Sequence, residues 1–214
     1  MRILIPETVT LSLGLLFIAY THDLLTSDDN FFMIFLQFPF YYIGIVSIPS
    51  FLFCLLIKWV LIGKYREEQY PMWTWKVWRT EAVTSIFEAL ATPFLLTNLE
   101  GTPFLPFLFR LMGVKVGKRV WMNTADITEF DMVTLGDDCA FNTYSGPQTH
   151  LFEDRVMKIG KVDIGERCSI GAGSVVLYNT KIENNCKVGP LSLVMKGEHL
   201  LKNTNWFGIP IERL

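Results

Sequence analysis

The chain has 214 residues, which sets an expectation of one or two domains, and 50% of them are hydrophobic while only 19% are charged. Its formal net charge of −2 removes the basic excess that a phosphate-binding face requires and excludes a nucleic-acid partner. The four cysteines, Cys54, Cys139, Cys168 and Cys186, form no CxxC pair, and the composition offers no three-histidine metal site.

The first sixty residues read as membrane material. Ile3 to Tyr20 is mostly apolar with Glu7 as its only charge, and Phe31 to Ile57 carries no charge at all. Each is long enough for a hydrocarbon core, which needs about twenty apolar residues. Pro39 and Pro49 predict a kink or a late start in the second. The connecting loop holds Asp23, Asp28 and Asp29 but no Lys or Arg, whereas Lys58, Lys64, Arg66, Lys76 and Arg79 follow the second span. By the positive-inside rule, residues 1–62 form a transmembrane hairpin with both ends in the cytoplasm. The expected location is a bacterial-type inner membrane, multi-pass, with the soluble part on the cytoplasmic face.

Residues 63–112 read as interfacial amphipathic helices. Trp73, Trp75 and Trp78 stand beside Lys76 and Arg79, the mixture found at a headgroup boundary. Val83, Ile86, Phe87 and Leu90 make a helical stripe that Pro93 is expected to stop, and Phe104 to Met112 is a second short apolar stretch. Plain packing between the spans and the domain that follows accounts for the same pattern.

From Gly113 the pattern changes. Written in sixes, Ile164 to His199 opens every unit with an aliphatic residue: Ile164, Ile170, Val176, Ile182, Val188 and Val194. The fifth place is small at Cys168, Ser174, Thr180, Cys186 and Ser192. That register is neither helical nor simple strand alternation; it is the pattern of a parallel β-helix built from hexapeptide repeats. Cys168 and Cys186 then stack on one side of neighbouring coils, as small core residues rather than as ligands or a disulfide. Val116-Gly117 opens the first coil and Leu135-Gly136 resumes it. Thr143 to Lys158 is too polar and irregular for a coil side and reads as a loop, residues 143–158, thrown out from a domain spanning 113–214.

The loop carries His150, whose ordinary pKa near neutrality suits a general base and which could equally serve to pack the loop. Asp126, Glu129 and Asp131 lie about one coil earlier; one of them could orient the imidazole, or all could solvate the surface. Asp126 and Glu129 are retained as candidate catalytic partners of His150. Candidate substrate contacts are Asn142, Gln148, Thr149 and Trp206, and candidate contacts for a thioester donor are Gly171, Gly189 and Lys196. No P-loop, GxSxG or dinucleotide fingerprint is present.

The hexapeptide units, the looped-out histidine, the lead-in Phe109-Arg110-Leu111-Met112-Gly113-Val114-Lys115-Val116-Gly117 and the final Gly208-Ile209-Pro210 together resemble the left-handed β-helix acyltransferases. Asp126 to Asp131, Pro147 to Lys158 and Gly189 to Glu198 are similar to the C-terminal domains of nonribosomal peptide synthetases of the epsilon-poly-lysine synthetase type. The resemblance implies a left-handed parallel β-helix and transfer of an aminoacyl group from a phosphopantetheine thioester, carried by a carrier protein or by CoA. It also implies membrane lipid as a partner and a homotrimer or a pseudo-trimer with related domains, and no metal. This chain departs from those synthetases in having no adenylation or carrier domain and a single acyltransferase-like unit. An acetyl-CoA-dependent O-acetyltransferase of an envelope glycan and a non-catalytic scaffold for a membrane synthetase remain as alternatives.

Overall fold

The computed structural model describes residues 39–214 and, ahead of them, residues 8, 11, 12, 15, 16, 18, 19, 21, 22 and 36. The expected first span and the acidic loop after it therefore lie, for the most part, outside the described residues. The rest divides into two compact units: residues up to Leu61 with Thr80–Asn98, and Ile62–Arg79 with Leu99–Leu214.

The first unit is helical. Pro39–Leu61 and Trp75–Leu99 are each long and apolar enough to cross a membrane by length and composition. They pack antiparallel, with Tyr42 Oη donating to the Phe94 carbonyl at 3.4 Å and the Cys54 thiol donating to the Ile86 carbonyl at 3.6 Å. Two sequence expectations change here. Lys58 does not follow the second span but lies inside its helix, fully buried, with Nζ 3.5 Å above the Trp59 ring. Pro93 does not stop its helix: the stretch Phe87–Leu96 continues as π-helix through it. The wider π turn moves the carbonyl that the proline ring would meet in an α-helix, so the chain keeps its course at the cost of one backbone donor.

The second unit is the coil, and its strands stack on three faces, every coil-to-coil pairing parallel. One face stacks Lys115–Val116, Val133–Leu135, Val162–Ile164, Thr180–Ile182 and His199–Leu200. The second stacks Trp121–Met122, Ala140–Phe141, Ser169–Ile170, Lys187–Val188 and Asn205–Phe207. The third stacks Gly146–Gln148, Val175–Leu177 and Leu193–Val194. Alternation along each short strand sends one residue inward per side, so Leu135, Phe141, Ile164, Ile170, Val176, Ile182, Val188, Val194 and Leu200 are all buried. The inward column at one corner is thiol and hydroxyl. Cys139, Cys168 and Cys186 are free and buried, and each donates its S–H to a carbonyl of the next coil, Gly165, Glu183 and Leu201, at 2.8 to 3.0 Å. Coil spacing leaves no room beside the backbone at Gly171, where an added Cβ would stand 2.4 Å from the Gly189 carbonyl carbon.

The short helix Phe104–Met112 seats Leu105, Phe109 and Met112 in the core and ends on Gly113 at φ 116°. Arg110 then clasps the entry to the first coil, donating from Nε to the Val116 carbonyl at 2.9 Å and from its terminal nitrogen to the Gly117 carbonyl.

The expected loop is more regular than its composition implied. Gly146–Gln148 completes a side of the second coil, paired with Val175–Leu177. Gly146 serves there because a Cβ would press on Asp126 at 3.1 Å. Only His150–Glu153 and Val156–Ile159 leave the coil, as an antiparallel hairpin. Its free edge is taken by Gln69–Pro71, a strand that falls in the segment expected to be interfacial helix.

Candidate functional site

The coil brings the histidine and one acid together at a single corner. The third side of the first coil runs into a short 3-10 turn, Phe130–Met132, preceded by Glu129; the third side of the second coil runs into Thr149 and His150. One coil of sequence separates them, and stacking cancels that separation. His150 Nδ1 lies 2.8 Å from Glu129 Oε2. The same oxygen accepts from Thr149 Oγ1 at 2.6 Å and from Thr128 Oγ1 at 2.7 Å. The other carboxylate oxygen, Oε1, is buried with no hydrogen-bond partner among the described residues.

Glu129 has no solvent exposure, and its burial works against the charged form. The imidazole of His150 and the hydroxyls of Thr149 and Thr128 outweigh that penalty and hold the carboxyl below the ordinary glutamate value. A charged carboxylate at Nδ1 fixes the tautomer: Nδ1 carries the proton and Nε2 is left as the basic nitrogen. Phe152 meets the imidazole edge-to-face at 5.5 Å between ring centres and is itself exposed, so the ring has an apolar wall open to solvent.

The hairpin that carries His150 is fastened at both ends. Gln148 Nε2 donates to the His150 carbonyl at 3.1 Å. At the tip, the Glu153 carboxylate accepts from Lys158 at 3.1 Å and from Tyr178 Oη at 3.4 Å, and it also receives Lys196.

Of the residues picked out from sequence, His150, Glu129 and Thr149 meet at this corner and Gln148 supports it. Asp126 does not hold the imidazole in the same way; it is exposed, packs beside Gly146, and partial desolvation pushes its carboxyl up. Asp131 accepts from the Tyr65 backbone N–H at 3.1 Å. Asn142 donates to the Ile170 carbonyl at 2.8 Å and ties two coils together. Trp206 belongs to the last coil, where Nε1 donates to Thr204 Oγ1 at 2.7 Å. Gly171 and Gly189 are stacking positions, the second under the Phe207 ring. Lys196 is engaged by Glu153. Sequence reasoning missed Thr128, Phe152, Glu153 and Tyr178. The two threonines flanking the two coil corners were the available signal for the first of them. Among the described residues no cluster of His, Cys, Asp or Glu could hold a metal ion.

Residues 161–196 match the family model "Bacterial transferase hexapeptide (six repeats)", so this stretch of the coil carries the repeats of that family. The chain is 43% identical over 213 residues to the delta-poly-L-ornithine synthetase of Acinetobacter baumannii (strain AB307-0294), a match covering 98% of this chain and 16% of that one. The chain thus spans about a sixth of the curated relative's length. Among solved structures, it is similar to a hexapeptide-repeat acetyltransferase from Vibrio cholerae, at 17% identity and TM-score 0.42, covering 48% of this chain and 62% of that one. It is also similar to soybean serine acetyltransferase in complex with serine, at 20% identity and TM-score 0.43, covering 65% of this chain and 51% of that one.

Proposed function

We propose that this chain is a membrane-attached acyltransferase domain that moves an aminoacyl group from a phosphopantetheine thioester to an amine. The observation that carries the reading is the buried Glu129 carboxylate locked onto His150 Nδ1 at 2.8 Å. The 43% identity to a poly-ornithine synthetase supports an amine acceptor and an aminoacyl donor over acetylation of a glycan hydroxyl.

In this mechanism the acceptor nitrogen attacks the thioester carbonyl while His150 Nε2 takes its proton. Glu129 stabilises the imidazolium that forms and keeps the ring oriented, without taking the proton itself. A backbone N–H from a glycine-containing turn steadies the oxyanion. When the tetrahedral adduct collapses, the carbon–sulfur bond breaks and the imidazolium returns the proton to the departing thiolate. Both substrates sit in one cleft, so no covalent enzyme intermediate is required. The thioester is carried either by a carrier protein or by CoA, and related copies of the coil complete a trimer or pseudo-trimer.

The apolar helices Pro39–Leu61 and Trp75–Leu99 support attachment to the inner membrane, with the coil on its cytoplasmic side. Exposed Trp73 and Trp75 beside Lys76 suit the headgroup boundary.

The test is incubation of the full chain with aminoacyl and acetyl thioesters on carrier protein and on CoA, with mass spectrometry of acylated amines and sugars. His150→Ala should lower turnover about 10²- to 10⁴-fold in a chain that still folds, with a lower melting temperature because buried Glu129 loses its main partner. Near-normal turnover would remove His150 from the reaction, and activity confined to acetyl-CoA and a sugar would replace the aminoacyl reading.

A further inference from the structure

The Trp75–Leu99 helix leaves one folded body and returns to it. Ile62–Arg79, which includes the first turn of the helix, and Leu99–Leu214, which begins at its last residue, form a single compact unit. Ahead of the helix, Gln69, Tyr70 and Pro71 pair with Lys158, Met157 and Val156 of the hairpin, and the Met72 N–H donates to the Arg155 carbonyl at 3.0 Å. Behind it, the Gly101 N–H donates to the Met122 carbonyl in the first coil at 2.7 Å. Both ends are thus hydrogen-bonded into the same unit, one to the hairpin that the coil carries and the other to the first coil.

Every passage through a bilayer changes side, and a folded unit occupies one side. A segment with both ends built into that unit must cross an even number of times. Two crossings need about forty apolar residues, because each takes about twenty. This helix has 25 residues, enough for one crossing and too few for two. Its number of crossings is therefore zero, although its mean hydropathy of 1.3 passes the usual test for a span.

The same residues still call for lipid. Trp73 and Trp75 are 80% and 74% exposed at the entry, with Trp78 also exposed and Lys76 and Arg79 interleaved. That pairing of indoles and cations suits one headgroup layer. We infer that Trp75–Leu99 is a monotopic element: it is seated in the one leaflet that faces the coil, and enters and leaves by that leaflet's surface. Its helical hydrogen bonds keep the backbone satisfied at that depth. The consequence for the site is geometric. The strand that precedes the helix is the outer strand of the sheet containing His150, so lipid contact and the base-bearing hairpin are joined through Gln69–Pro71.

This inference rests on the membrane attachment proposed above and not on acyl transfer. The test uses the full chain expressed in bacteria, with single added cysteines labelled by a membrane-impermeant maleimide in spheroplasts and in inverted inner-membrane vesicles. The parent chain, whose four cysteines are buried, supplies the background. The Gln69→Cys and Asn98→Cys variants should label from the same preparation as Lys202→Cys on the coil, and Ala89→Cys should label from neither until the chain is unfolded in detergent. Thr102→Cys replaces Asn98→Cys if that variant fails to accumulate. Labelling of the two flanks from opposite sides would overturn the inference by making the helix a span. Labelling of Ala89→Cys as readily as Lys202→Cys would overturn it by taking the helix out of lipid. Absence of transferase activity changes neither outcome.

Discussion

Glu153, at the tip of the hairpin, and Lys196, in the fourth coil, meet as an ion pair, with Nζ donating to the two carboxylate oxygens at 2.6 and 2.7 Å. Lys196, then Lys158, holds the Glu153 carboxyl below the usual glutamate range. The pair lies on the surface, where charge attraction adds little to global stability. Its effect is local: it fixes the far end of the strand that begins with His150.

Glu153→Ala should therefore leave the melting transition within a degree or two and loosen the hairpin. Trypsin cleavage after Arg155, in the exposed turn, should accelerate. With His150 as the base proposed above, turnover should fall about 10- to 100-fold, the scale of displacing such a group by an ångström or so. Lys196→Gln should show the same signature more weakly, because Lys158 still reaches Glu153. Unchanged proteolysis in both variants would show that the hairpin is held by its strands alone.

Thr149→Val tests the threonine support of Glu129. The substitution preserves shape and deletes a buried hydroxyl that bonds a charged carboxylate at 2.6 Å. Hydrogen bonds to charged groups contribute about 1.5–3 kcal/mol, so the variant should lose stability on that scale in urea unfolding. Turnover should drop as well, since the carboxylate is then free to shift off Nδ1. Thr149→Ser should restore both. Failure of the serine variant to rescue would make the loss a packing effect.

The acid limb of stability follows from Glu129. Its folded carboxyl lies below the ordinary value of about 4.3, because the His150 contact and the threonine hydroxyls overcome the penalty of burial. A lowered folded pKa contributes stability that is fully present above the unfolded value and is lost as pH falls through the folded one. The melting temperature should thus be flat in this respect from neutrality down to about pH 5 and decline below about pH 4.3. Glu129→Gln should flatten that decline. A variant that keeps the same acid limb would assign it to other carboxylates.

The coil was legible because its signal is carried by six-fold repetition of buried aliphatics, and each of Ile164, Ile170, Val176, Ile182, Val188 and Val194 is in the core. The site was half legible. His150 stood out by residue type, but Glu129 could not be told from Asp126 and Asp131 without knowing which side chain turns inward at the corner. Thr143 to Lys158 misled for a different reason. A polar exterior face and a proline mask a coil side at Gly146–Gln148, and a hairpin completed by Gln69–Pro71 depends on a partner far away in sequence. Long-range pairing leaves no local periodicity to read. The Trp75–Leu99 helix shows the limit of hydropathy itself: its composition fits a span, whereas the indoles and cations at its start, already legible in the sequence, and its two attachments to the second unit argue for the interface.

One corner of the coil offers a route to higher stability. Arg119, Asp138, Arg167, Asn185 and Asn203 occupy equivalent turns in successive coils, all with φ between 51° and 61°. Left-handed backbone costs most L-residues about 1–2 kcal/mol, and asparagine tolerates it better because its short amide bonds locally. Arg119 is compensated by a two-point contact with Asp138 at 2.6 and 2.7 Å. Arg167 is exposed and makes the turn between two positions that carry Asp and Asn. Arg167→Asn should stabilise the chain by about 0.5–1 kcal/mol, read as a higher urea midpoint at unchanged slope. The reverse exchange, Asn185→Arg, should destabilise by at least as much, since it also removes the Asn185 Nδ2 to Asn203 Oδ1 bond at 3.0 Å. If Arg167→Asn lowers the midpoint instead, the attraction between Arg167 and Asp138 outweighs the backbone strain, and Arg167→Lys, which keeps the charge, should then be neutral.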